Sequence, residues 1–181
     1  MRGFTIIELV VAMAILVSFL ALGIPKMHSM IERHHVYVDF HQVRKALTSA
    51  RGIAQKESIN VSLCPVKNKS CSSNWQQPLT AFHDRNTNNT IDDDEIVFFT
   101  SSMTSDYGYW QKSKESQNFV RFNALGHAFS SASTFLYCPY SVHKRLAKSI
   151  VISFQGRIRT ASYLNRSGRP YSRFSRLNCG I

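Results

Sequence analysis

The sequence predicts an α+β fold: one long N-terminal helix packed on a small antiparallel β-sheet domain. Three observations carry this. Residues 4–24 form an almost wholly apolar run, and no proline occurs before Pro25. Apolar residues then recur at three- and four-residue steps as far as Ala54, which is the spacing of one helix face. From residue 58 the period drops to two, and clusters of Asn, Ser, Gly and Pro cut the remainder into short runs. At 181 residues, 44% hydrophobic and 18% charged, the chain suits one globular domain with an appendage and excludes a disordered polyelectrolyte.

The first half of the helix reads as an anchor. Residues 9–25 carry no charge, and 17 residues is the short end of a membrane-spanning helix. In lipid the backbone has to satisfy its own hydrogen bonds, so an apolar run of this kind is helical. A secretory signal peptide is the competing reading, because Arg2 precedes the apolar core. Against it, no small-x-small cleavage site ends the run, and Glu8 would be a costly carboxylate at membrane depth. Gly23 and Pro25 should loosen or kink the helix without ending it. Beyond them, Val43, Ala46, Leu47, Ala50, Ile53 and Ala54 form an apolar stripe, with Arg44, Lys45, Arg51 and Lys56 opposite. His28, His34, His35 and His41 lack the paired carboxylates or cysteines of a metal site and read as a solvated helix face.

Gly3-Phe4-Thr5-Ile6-Ile7-Glu8, followed by the apolar run, resembles the prepilin signature of type IV pilins and type II secretion pseudopilins. The resemblance implies cleavage after Gly3 by prepilin peptidase, N-methylation of Phe4, and an assembly role for Glu8. Physical reasoning agrees: a carboxylate five residues into the mature helix can pair with a neighbouring subunit's cationic N-terminus and set the register between them. The expected organisation is then a leader at 1–3, a transmembrane and assembly half-helix at 4–25, a periplasmic half-helix at 26–57, and a β domain at 58–181. The location so implied is the inner membrane, single-pass, with the C-terminal domain in the periplasm. Assembly would carry it into an extracellular pilus, near the tip.

In the β domain, Ile59, Val61 and Leu63 alternate with polar residues as a half-buried strand should. Further strands are expected at 79–82, 96–99, 119–122, 134–137, 150–154 and 158–163, with no internal repeat. Ala50-Arg51 late in the helix, Cys64, Cys71, Trp75, Phe82-His83-Asp84 and Gly156-Arg157-Ile158-Arg159 together resemble the GspH/FimT family of minor pilins and pseudopilins. The FimT branch of that family is associated with type IV pili and DNA uptake, and its Gly-Arg-x-Arg element with DNA binding.

Four cysteines exposed to an oxidising compartment can form two disulfides. Cys64 and Cys71 are close enough in sequence for a local bridge, which would leave Cys138 with Cys179, although the other two connectivities stay open. A twelve-residue run from Asp84 to Glu95 fits a calcium-loop template, with oxygen ligands from Asp84, Asn86, Asn88, Thr90, Asp92 and Glu95. Asn89 stands where that template expects glycine, and the competing reading is an acidic, hydrogen-bonded surface turn. No other cofactor is suggested. The chain holds no Gly-x-Ser-x-Gly, P-loop or His-Glu-x-x-His motif, so no enzyme is expected.

Charge is distributed unevenly. Residues 1–115 hold 12 Lys and Arg with all 11 acids, whereas residues 116–181 hold 10 Lys and Arg and no acid. In that basic third, Gln155-Gly156 should turn a hairpin whose outgoing strand presents Arg157 and Arg159 on one face. Arg166, Arg169, Arg173 and Arg176 follow among Tyr163, Tyr171 and Phe174; Lys144, Arg145 and Lys148 precede. Arginine suits bidentate phosphate contact and stacking. The basic third thus points to double-stranded DNA as a partner, and the family resemblance implies other pilin subunits, prepilin peptidase and the inner membrane. The function expected is a minor pilin binding DNA for natural transformation. The alternative is a structural minor pilin or type II secretion pseudopilin that primes assembly without DNA.

Overall fold

A computed structural model describes residues 5–101, 107–113, 117–128, 131–140 and 146–162, with Leu177 and Cys179. The chain divides into two compact units, residues 1–35 and 36–181. Helix α1 runs Ile6–Glu57, and Gly23 and Pro25 do not end it.

In the first unit, Thr5 caps α1. The Glu8 N–H donates to Thr5 Oγ1 at 3.4 Å, and Thr5-x-x-Glu8 is the sequence pattern of a capping box. All side chains from Thr5 to Ala21 are exposed, Ile6 at 84% and Phe19 at 73%. Among the described residues no helix is long and apolar enough to cross a membrane.

In the second unit, the stripe of α1 starts earlier than its sequence pattern suggests: Val36, Phe40, Val43, Ala46, Leu47, Ala50 and Ala54 are all buried. Removing side chains such as Phe40 and Leu47 from water contributes about 1.5–3 kcal/mol each. The helix closes on Ser58, which takes a positive φ of 55° while the Ile59 N–H donates to the Ala54 carbonyl at 3.1 Å. That is a Schellman ending with serine in glycine's usual place.

Two antiparallel sheets receive the stripe. The first orders β2 (Ser70–Cys71), β1 (Val61–Lys67), β3 (Leu79–His83) and β4 (Val97–Ser101), with β6 (Val120–Phe122) also paired to β1. The second orders β5 (Gly108–Lys112), β7 (Ser133–Pro139), β8 (Lys148–Ile152) and β9 (Ile158–Ser162). One core joins α1 to both, through Val61, Leu63, Leu79 and Phe122 of the first sheet and Trp110, Phe135, Tyr137, Ile150 and Ile152 of the second.

The seven expected strands form, with shifted ends, and among the described residues two more appear. β2 is too short to show a period. β5 is hidden because its third inward position is Lys112, 2% exposed. Its ammonium is satisfied locally, donating to the carbonyls of Gln117 at 2.6 Å and Phe119 at 3.2 Å. A lysine can occupy a core position once its polar head has such partners.

Candidate nucleic-acid interface

The turn between β8 and β9 occupies residues 153–157. The Gly156 N–H donates to the Ser153 carbonyl at 2.8 Å, and the Ser153 N–H to the Arg157 carbonyl at 3.1 Å. Gly156 has φ 71°, the left-handed residue of a G1-bulge hairpin. Arg157 therefore stands at the exit of the turn, and β9 begins at Ile158, where the sequence pattern places it.

Side-chain direction follows from pairing. Arg159 pairs with Val151 and Ala161 with Ser149, and opposed residues in an antiparallel ladder share a face. Val151 and Ala161 pack with Leu136, Cys138, Ala147 and Leu177, whereas Ile150 and Ile152 belong to the helix-facing core. Arg159 thus lies on the face of the second sheet turned away from α1. Arg157 and Arg159 are both exposed, and among the described residues neither has a carboxylate partner. The Cys138–Cys179 disulfide and buried Leu177 tie the chain's end to that same face. Arg166, Arg169, Arg173, Arg176, Lys144 and Arg145 lie outside the described residues.

Lys148 departs from the expected patch. It shares the inward face with Ile150 and Ile152, and its Nζ lies 5.9 Å from the Tyr37 ring and 5.8 Å from that of Phe40. Two strand positions separate each inward side chain from the next, and this parity sends Lys148 toward the helix.

The hairpin is also held from behind. A Cβ at Gly156 would come 1.8 Å from the Gly126 carbonyl oxygen, so only glycine permits this approach. That carbonyl accepts a hydrogen bond from Arg51 Nε at 3.0 Å, and the Leu125 carbonyl accepts one from Gln55 Nε2 at 3.3 Å. The Ala128 N–H reaches the Phe154 carbonyl at 2.9 Å. Arg51, expected on a solvated face, is half-buried and fastens two turns to the end of the helix. Ala50-Arg51 and Gly156, distant in sequence, are two sides of one contact.

The acidic loop is a different kind of object. Asp84 is fully buried; its Oδ2 accepts from Ser62 Oγ at 2.7 Å and from Arg121 Nη2 at 2.5 Å. Arg121 also donates to Asn89 Oδ1 at 2.7 Å, and Asn89 takes the positive φ of 63° that the glycine position requires. Asn86 and Asn88 donate to Asp92, and Glu95 accepts the backbone N–H groups of Arg85 and Asp92. The Thr90 hydroxyl meets Ser70. Most of these oxygens already meet donors, Asp84 Oδ1 being the buried exception, and among the described residues no three acidic, His or Cys side chains converge to hold a metal. The residue at the template's first position, Asp84, is turned inward to Ser62 and Arg121. Cys64 and Cys71 are bonded across β1 and β2, with Cα atoms 5.5 Å apart, and the Cys71 N–H donates to the Asn89 carbonyl at 2.9 Å. Gly3 and Phe4 lie outside the described residues.

The profile of the family described as "Type II transport protein GspH" matches residues 40–156, well over half of the chain. Among solved structures the fold is similar to that of the type IV minor pilin FimU of Pseudomonas aeruginosa strain PAO1. One crystal form gives a TM-score of 0.53 at 17% identity, covering 79% of this chain and 97% of that one. A second gives 0.52 at 16% identity, with 75% and 97% covered. No curated protein matches by sequence. The likeness to FimU concerns the fold; the profile match settles kinship, and the chain belongs to the GspH family of pilin-like proteins.

Proposed function

We propose that this protein is a type IV minor pilin that binds double-stranded DNA through the outer face of its second sheet, in the service of DNA uptake for natural transformation. One observation carries the reading: Arg157 and Arg159 stand exposed and, among the described residues, without carboxylate partners, on the face to which the end of an acid-free segment is tied. Each guanidinium can hold a phosphate oxygen pair, and residues 157 and 159 are about 6–7 Å apart along an extended chain, close to the repeat of one strand's phosphates. Lys148 takes no part.

The exposed apolar girdle of the first unit supports anchoring in the inner membrane and packing against other pilin helices, with Glu8 pairing across subunits. Prepilin peptidase would act at Gly3 and Phe4, and the β domain would reside in the periplasm until assembly.

Full-length protein in detergent micelles, titrated with two unrelated duplexes over a range of salt, tests the DNA reading. Affinity should fall steeply with salt as counterions are released. Arg157→Gln with Arg159→Gln should weaken both duplexes alike and make the salt slope shallower by roughly 1 per lost contact. Unchanged binding by the double variant would remove the hairpin from the interface. Absence of wild-type binding even at low salt would leave the assembly role, in which the same girdle primes a pilus or type II secretion pseudopilus without DNA.

A further inference from the structure

Two large apolar side chains stand in water at the tips of the hairpin and of the turn that backs it. Leu125 is 68% exposed and Phe154 is 59% exposed, each at the tip of a turn. The two turns abut: Gly156 rests on Gly126, and the Ala128 N–H holds the Phe154 carbonyl. Arg51 and Gln55 fix the second turn to the helix. The fold uses only the backbones of Leu125 and Phe154 in these contacts, so it does not require their apolar side chains. Their exposure is unfavourable in water, at about 25 cal/mol per Å² of apolar surface.

We propose that Leu125 and Phe154 form a rigid apolar wedge that contacts base faces of DNA whose phosphates are held by Arg157 and Arg159. The inference rests on the DNA reading above and specifies what else the site touches. An apolar tip on the same hairpin as two cations that have no carboxylate partner among the described residues, in a segment with no acid, complements a ligand that presents anions around flat apolar faces. Nucleobases between phosphates have that character; a protein surface would need acidic groups around its apolar centre. Apolar side chains enter duplexes by partly unstacking a base step, and that cost is smallest where pairing is already weak. A pre-fastened turn adds little ordering cost on binding.

The test uses full-length protein in detergent and two duplexes of one sequence, fully paired or with a central mismatch beside a fluorescent base analogue. Wild type should bind the mismatched duplex more tightly and change the analogue's fluorescence. Phe154→Ala and Leu125→Ala should each lower affinity for the mismatched duplex, Phe154→Ala by about tenfold, and remove most of the preference. Neither should alter the salt slope, since no phosphate contact is lost. Both positions are exposed, so the thermal midpoint should hold and report intact folding. If wild type binds DNA but both tip variants keep its affinity, preference and fluorescence change, the wedge is wrong and the arginine interface stands. If wild type binds neither duplex, the DNA reading fails and the wedge with it.

Discussion

The acidic loop at 84–95 and the basic hairpin around 153–159 are both dense in charge, and they use it in opposite ways. In the loop the carboxylates are spent on the fold: Asp84 on Arg121, Asp93 on Lys69, Asp94 on Arg85, Asp92 and Glu95 on side-chain and backbone N–H groups. In the hairpin, structure is supplied by glycine, backbone hydrogen bonds and Arg51, and the two guanidiniums of Arg157 and Arg159 are left outside that scaffold. Charge that already closes a loop is a structural element. Charge borne on a scaffold that does not need it is available to a partner.

The strongest way to break this contrast is to remove Arg121. Its guanidinium is 15% exposed and its partner Asp84 is fully buried, so Arg121→Met leaves a buried carboxylate uncompensated. Breaking one side of a buried pair costs about 3–5 kcal/mol. Denaturant unfolding should show a loss of that size with DNA binding unaffected wherever the protein remains folded; a neutral result would mean the pair is dispensable. Next comes the tether. Cys179→Ala opens a loop of sequence separation 41 and should cost about 2–4 kcal/mol. Beyond stability, it should weaken DNA binding by releasing the tail from the outer face, and undiminished affinity would show that the tail acts without its tether.

Gly156→Ala sharpens the contrast from the other side, because it changes no charge. The new Cβ would meet the Gly126 carbonyl in a backbone conformation L residues avoid, costing at least about 1–3 kcal/mol. Affinity for DNA should fall although both arginines remain. A destabilised protein that still binds as wild type would show that position matters less than charge.

The smallest effect belongs to Lys69 and Asp93, whose ion pair is wholly exposed. The Asp93 hydrogen bond and charge raise the Lys69 pKa, and Lys69 lowers that of Asp93. Any contribution is therefore lost as pH rises through the lysine's titration and as it falls through the aspartate's, with a plateau between them. Lys69→Met should leave the thermal midpoint at neutral pH nearly unchanged, and in high salt indistinguishable, because exposed pairs are screened. A clear drop in salt would contradict the view that this pair is peripheral.

Much of the fold was legible because hydrophobic periodicity is a local property. The helix stripe, seven strands and the hairpin at Gly156 are written in neighbouring residues, and unequal charge distribution pointed to the basic third. The failures share one cause. Asp84, Arg121 and Arg51 are polar residues placed inside or half inside by partners far along the chain, Lys112 by the carbonyls of the segment that follows its strand, and no hydrophobic period announces a satisfied polar group. Lys148 looked like one more cation of the patch, but strand parity and the aromatic pair Tyr37 and Phe40 put it on the opposite face.

By itself the sequence determined an α+β chain with an apolar N-terminal helix, alternating strands, an acid-free basic third and a family signature, because each depends on composition and spacing. Only the tertiary structure decided which charges are already spent, which face each strand residue takes, and why Arg51 and Gly156 belong together. Those depend on contacts between segments that are remote in sequence, where burial and hydrogen bonding decide whether a charge closes the fold or remains available to a partner.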